Sequence, residues 1–219
     1  KIVNAHAAAL DQLKNVVDRN LDDIKRLALE ITFHSQTNNM SQHKHPIDKY
    51  YRYSMVEIIK DLKAFKIANS HIADLYIYFS YNDFVLSSNG KYSSREFYDL
   101  YLQHYNLEYD HWLSKMQAVY FNDYDLISAK STGSDQDIVF LQSIPIATTN
   151  KSEANIVIIM KDEYIKNIIK SSKWTEEGTI FIMDNKHNII VSTNMVNVDN
   201  ILFYNKLEGN NGMFDYKLG

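Results

Sequence analysis

The chain's most concentrated chemical resource is aromatic. It carries 16 Tyr and 2 Trp, and Tyr76, Tyr78, Tyr92, Tyr98, Tyr101, Tyr105, Tyr109, Trp112, Tyr120 and Tyr124 all fall in one stretch. Flat rings with polar edges suit sugar rings or extended peptides, and they bury well when their hydroxyls find partners. The same rings also serve a core, since Tyr76 and Tyr78 alternate as on a strand while Tyr98, Tyr101 and Tyr105 keep helical spacing. A few of them are expected to face a ligand. Arg95 stands among them as the last arginine of the sequence. Its planar fork matches a carboxylate; an ordinary surface arginine at a helix start is the other reading.

The remaining reactive combinations lead less far. His43-Lys44-His45, with His34 upstream, offers half a metal site, whereas zinc requires three or four convergent ligands. Ser88-Asn89-Gly90-Lys91 fits SxxK but lies at a hairpin end, with no partner motif after it. Asp123 and Asp125 lack any spacing that marks acid–base work. No catalytic set, no metal and no cofactor is expected, and the chain reads as a non-enzyme.

Composition narrows the field further. The absence of cysteine excludes thiol catalysis, Cys-ligated zinc and disulfides. A net charge of −4 argues against a nucleic-acid surface. The 6 Gly form neither GxGxxG nor GxxxxGK. Hydrophobic residues at 45% and charged residues at 23% are typical of a folded domain with a sizeable core. No run of 18 apolar residues occurs, so no segment is expected to span a membrane, and no signal peptide is evident. The chain opens inside a helical pattern and stops soon after a strand-like one, which reads as a piece of a longer protein.

Positioning of the aromatic segment falls to regular elements on either side. Leu10, Leu13, Val17, Leu21, Ile24, Leu27, Ala28 and Ile31 form one apolar stripe without a Gly or Pro, predicting a helix over about residues 2–32. At 1.5 Å per residue it extends about 45–50 Å. That is longer than a small module is wide, and it suggests a stalk whose first half touches a second module or a partner subunit. Residues 34–49 read as a polar linker, and 50–68 as a second amphipathic helix through Met55, Ile58, Ile59, Leu62 and Phe65. A hairpin is expected over 75–89, then a Tyr-rich helix over 93–107 with Ser94 as N-cap and Glu96 in its first turn. A short helix holding Trp112 and Met116 follows, then strands at 126–131, 138–145 and 154–160. Helix 162–173, a hairpin over 180–194 and strand-like ends at 201–204 and 213–217 complete the chain. This order predicts an α+β fold built on a five-stranded antiparallel sheet with helices segregated from it.

The two hairpins align without a gap. Leu75-Tyr76-Ile77-Tyr78-Phe79 matches Ile180-Phe181-Ile182-Met183-Asp184, and Phe84-Val85-Leu86-Ser87-Ser88-Asn89 matches Ile189-Ile190-Val191-Ser192-Thr193-Asn194. Ile77/Ile182, Ser87/Ser192 and Asn89/Asn194 are identical. Each copy is an apolar strand, a polar four-residue turn and a second apolar strand. Two related modules in tandem account for this repeat; two unrelated hairpins in a chain rich in Ile, Tyr and Asn are the alternative.

On these stretches, together with Asn69 to Phe79, Ile144-Pro145-Ile146, Ala154 to Ile165 and Gly178 to Asn194, the chain resembles the PAS-like double Cache ectodomains of bacterial sensors. The nearest likeness is to Firmicute membrane-bound transcription regulators of the AraC type. The resemblance implies a stalk helix over 1–35, a membrane-distal PAS-like module over 36–172 and a short or incomplete membrane-proximal module over 173–219. It implies a domain on the extracellular face of a bacterial membrane that binds a small solute and signals to a cytoplasmic DNA-binding output. A histidine kinase ectodomain or a ligand-free structural ectodomain is the alternative. Membrane contact is expected only through flanking segments, nucleic-acid contact not at all, and a homodimer through the N-terminal helix is a further expected partner.

Amino-acid-sensing members carry a Tyr/Arg/Trp cluster and an Asp at the end of the last distal strand. Here Asp110 and His111 separate Tyr109 from Trp112, and the strand reads Ile156-Val157-Ile158-Ile159-Met160. Asp162 lies close by but fits the following helix better. Lacking an ammonium anchor in this segment, the chain is expected to prefer a sugar, oligosaccharide or peptide over a free amino acid. The expected ligand-binding residues are Tyr78, Arg95, Tyr98, Trp112, Tyr120 and Ser143.

Overall fold

A computed structural model describes residues 2–42, 49–128, 136–146, 152–171, 181–183 and 189–192. They fall into two compact units, one of residues 22–162 and one of 1–21 with 163–219. Helix α1, Ile2–Phe33, runs unbroken for 32 residues. The apolar stripe explains its burial pattern, with Leu13, Val17, Ile24, Leu27, Ala28 and Ile31 all buried. The chain leaves helical geometry at His34 (φ −62°, ψ 125°) and starts again as α2, Ser35–Ser41. The expected linker is thus helical in its first half. Its polar sequence hides a spacing of Thr37, Met40 and Ser41, which are buried where α2 meets the next helix. That helix, α3, spans Lys49–Ala68 and buries Met55, Ile58 and Leu62.

The strands of the larger unit are β1 (Ile72–Phe79), β2 (Phe84–Ser87), β3 (Gly90–Ser93), β4 (Asp123–Ser128), β5 (Gln136–Ile144) and β6 (Ala154–Met160). Between β3 and β4 lie α4 (Ser94–Phe97), a π-helical turn over Tyr98–Leu102, and α5 (Tyr109–Gln117). The sheet order is β3-β2-β1-β6-β5-β4, with every neighbouring pair antiparallel. It has six strands where five were expected. The addition is β3, whose Gly90-Lys91-Tyr92-Ser93 has no apolar run; as an edge strand it is held through its main-chain register, Phe84 opposite Ser93 and Ser87 opposite Gly90.

Period-two alternation divides the sheet into two apolar faces. Tyr76, Tyr78, Val85, Val139, Leu141, Val157 and Ile159 join Phe97, Tyr98, Leu102, Tyr105, Trp112 and Met116 in one buried cluster. Leu75, Ile77, Leu86, Phe140, Ile156 and Ile158 alternate onto the other face and are fully buried, and α3 packs beside β1 and β2. The sheet is thus covered on both sides.

In the smaller unit, α6 (Asp162–Ser171) buries Ile165 and Ile169, and the Tyr164 hydroxyl donates to Asn20 Oδ1 at 3.2 Å. Strands β7 (Phe181–Met183) and β8 (Ile189–Ser192) pair as a separate two-stranded sheet. Phe181 lies opposite Ser192 and Ile182 opposite Val191, the register of Tyr76 opposite Ser87 and Ile77 opposite Leu86. The correspondence slips at the third pair, where Met183 faces Ile189. The expected strands at 201–204 and 213–217 and the histidines at 43 and 45 lie outside the described residues. Among the described residues, no helix is long and apolar enough to cross a membrane, and no group of three metal-ligating side chains occurs.

Candidate ligand site

The site is built where the β1–β2 turn meets α4 and α5. Helix α4 begins one residue earlier than its sequence suggested. Ser93 is the N-cap: its hydroxyl accepts from the Glu96 amide, while the Glu96 carboxylate accepts from the Ser93 amide at 2.9 Å. These bonds hold the Glu96 carboxyl below its ordinary range. The reciprocal cap satisfies two donors that a helix start leaves open. It also fixes Ser94, Arg95 and Tyr98 on the outgoing turn. The π-helical turn follows, closed by the Gln103 amide donating to the Tyr98 carbonyl at 3.0 Å; such turns recur at functional positions.

Trp112 is the hub of the aromatic layer. Its ring lies 6.0 Å from Tyr78, 6.1 Å from Tyr98, 5.9 Å from Tyr109 and 6.4 Å from Phe97. Its indole N–H donates to the Tyr76 hydroxyl at 3.2 Å. Beyond Trp112 the layer ends in a polar network. Asp83, in the β1–β2 turn with φ 47°, accepts from the Tyr78 hydroxyl at 3.1 Å and from the Ser94 hydroxyl at 2.7 Å. Ser94 shares a further bond of 3.0 Å with the Tyr109 hydroxyl. The left-handed conformation, which aspartate tolerates better than most residues, brings this carboxylate back toward α4. Arg95 lies with its guanidinium 4.7 Å from the Tyr109 ring centre and 5.9 Å from that of Tyr98, and it pairs with Asp99 at 3.1 Å.

Of the residues expected to touch ligand, Tyr78, Arg95, Tyr98 and Trp112 come together at this end. Tyr120 and Ser143 belong to a second cluster. The fully buried Ser143 hydroxyl donates to Asn155 Oδ1 at 2.6 Å and accepts from the Tyr120 amide at 2.8 Å. The Asn155 amide donates to the carbonyls of Met116 at 2.8 Å and Ala118 at 3.0 Å. This cluster pins the exit of α5, and through it the position of Trp112. Sequence reasoning missed Asp83 and Ser94. The hairpin turn thus brings a carboxylate to this segment, and its two oxygens accept from the Tyr78 and Ser94 hydroxyls. The usable signal was an aspartate closing a polar turn directly after an aromatic strand.

Burial, the largest cause in each case, raises the phenols of Tyr76, Tyr78, Tyr105 and Tyr124. The Tyr92 phenol is pushed up to about 12, first by its bond to Tyr101. The fold therefore holds these protons more tightly than the unfolded chain, whose tyrosines titrate near about 10. Stability from this source is complete below that value and is lost as pH rises through the folded values. In an alkaline titration, phenolate absorbance from the buried rings should appear together with loss of near-ultraviolet circular dichroism. Their ionisation with that signal intact would contradict the packing.

No protein-family model matches the sequence, and no curated protein matches it. Solved structures do share its fold. The ligand-binding domain of the Campylobacter jejuni chemoreceptor Tlp3, in complex with 4-methylisoleucine, superposes with a TM-score of 0.51 at 16% identity, covering 100% of this chain and 84% of that one. The same receptor domain in complex with L-norvaline gives 0.50 at 16% identity, covering 99% and 83%. A domain of a putative sensory box/GGDEF family protein from Vibrio parahaemolyticus gives 0.51 at 9% identity, covering 88% and 72%. The fold is PAS-like. Within the PAS-like sheet, the aromatic layer occupies the face covered by α4 and α5. All seven residues of β6 are buried and none is acidic, so the last strand of the six-stranded sheet offers no carboxylate.

Proposed function

We propose that the chain is the solute-sensing domain of a bacterial membrane receptor, of the double Cache class, facing the extracellular side. The observation that carries this reading is the polar end of the aromatic layer. There Asp83 accepts from the hydroxyls of Tyr78 and Ser94, Ser94 bonds the Tyr109 hydroxyl, and the Arg95 guanidinium lies over the Tyr109 and Tyr98 rings that pack on Trp112, on a fold shared with ligand-binding domains. The stalk, distal module and proximal module are assigned to 1–35, 36–172 and 173–219. A small solute bound near Tyr78, Arg95, Tyr98 and Trp112 selects one packing of the α4–α5 layer, with Tyr120 and Ser143 setting where α5 ends. That population shift reaches the long N-terminal helix and, through it, an AraC-type DNA-binding output; a histidine kinase output is the second reading. No chemical step is assigned to the domain.

Sugars, oligosaccharides and short peptides remain candidate ligands on the strength of the aromatic faces. The complexes of the similar chemoreceptor domain, together with Asp83, return free amino acids to the same candidate set. Thermal shift against amino acids, mono- and oligosaccharides, short peptides and simple amines tests the reading. A true ligand at a hundred times its dissociation constant adds about 2.7 kcal/mol to stability. Trp112→Phe and Asp83→Asn should each weaken that response. A ligand whose effect is indifferent to both binds elsewhere and contradicts the assigned site.

A further inference from the structure

We infer that the polar end of the aromatic layer is a seat for an organic cation, and that Arg95 fills this seat in the ligand-free protein. The inference rests on the sensing function proposed above and specifies the charge of the solute. Three observations carry it.

The guanidinium lies against the faces of Tyr109 and Tyr98, the geometry in which an aromatic face attracts a cation. Second, the surroundings are acidic. Asp83 reaches Tyr109 through Ser94, Asp99 pairs with Arg95, and Glu108 directly precedes Tyr109 as the N-cap of α5. Against these carboxylates Arg95 supplies the guanidinium. Third, Arg95 is weakly held. Its side chain is 62% exposed, and its partner Asp99 is 47% exposed and one helical turn along, the kind of pair that solvent largely screens.

A cationic solute can therefore take the aromatic faces and the Asp83 field while Arg95 swings out into water with Asp99. An anion would instead have to pull Arg95 from its carboxylate and remain beside Asp83, Asp99 and Glu108. The ligand class is accordingly a small amine, guanidine or quaternary ammonium compound.

The sign of the Arg95→Ala effect decides the matter. Agmatine, choline, glycine and acetate are titrated by calorimetry into the full chain, its Arg95→Ala form and its Asp83→Asn form, with near-ultraviolet circular dichroism to verify folding. The inference expects agmatine or choline to bind, about tenfold more tightly after Arg95→Ala and about tenfold more weakly after Asp83→Asn, with acetate silent. A loss or absence of change in cation affinity on Arg95→Ala overturns it. So does acetate or glycine binding that Arg95→Ala abolishes, because Arg95 would then be a carboxylate clamp. Failure of all cations while a sugar, amino acid or peptide binds at Trp112 overturns this inference and leaves the sensing function standing. Failure of every compound overturns both.

Discussion

Replacing Trp112 by alanine should be the most damaging single change in residues 22–162, costing about 3–5 kcal/mol of stability. The side chain is 1% exposed and touches Tyr78, Phe97, Tyr98 and Tyr109, with its N–H committed to Tyr76. Removal leaves a large cavity and strips the Tyr76 hydroxyl, itself buried, of its donor. Trp112→Phe keeps most of the ring volume and should cost less than half as much. Denaturant unfolding of the three proteins measures both values. Equal loss for Ala and Phe would mean that the indole hydrogen bond, not packing, carries the effect.

Asn155→Leu should rank second, at about 3–5 kcal/mol, because it strands several buried polar groups at about 1–3 kcal/mol each. The asparagine amide serves the Met116 and Ala118 carbonyls, and its oxygen accepts from Ser143 and Ser152. No apolar side chain of similar size can replace these bonds. Ser143→Ala removes one donor to Asn155 and the acceptor of the Tyr120 amide, and should cost about 1–2 kcal/mol. If the effects follow this order, Tyr120 and Ser143 act on the site by anchoring α5. A Ser143→Ala protein of full stability that has lost solute binding would make Ser143 a direct ligand contact instead.

Elements with strong periodicity were legible in the sequence. The stripe from Leu13 to Ile31 specified α1 because no breaker interrupts it. The shared pattern around Ile77 and Ile182 specified two hairpins whose first two pairs share a register. Elements held by main-chain bonds were not legible. The edge strand Gly90–Ser93 turns a single ring, Tyr92, onto the aromatic cluster, too little to announce a strand, and α2 buries Thr37, Met40 and Ser41 within a polar stretch. The site divided along the same line. Tyr78, Tyr98 and Trp112 declared themselves as aromatic residues at strand and helix spacing. Asp83 entered through a left-handed turn, a backbone choice that folds a sequence-local carboxylate onto a helix eleven residues later, and side-chain patterning carries no record of it. Ser143, expected from the sequence to touch ligand, bonds Asn155 Oδ1 and the Tyr120 amide. Its partner Asn155, on the neighbouring strand, gives it a structural role that only pairing reveals.

The most direct test of solute sensing is the indole N–H resonance of Trp112, assigned by its disappearance in Trp112→Phe and followed as solutes are added. Trp174 supplies the only other indole signal and serves as the internal reference. The account predicts that the solute giving the largest thermal shift moves the Trp112 resonance saturably, and that Asp83→Asn raises the concentration needed. A stabilising solute that leaves the Trp112 resonance unmoved at saturation would contradict a ligand site in the aromatic layer.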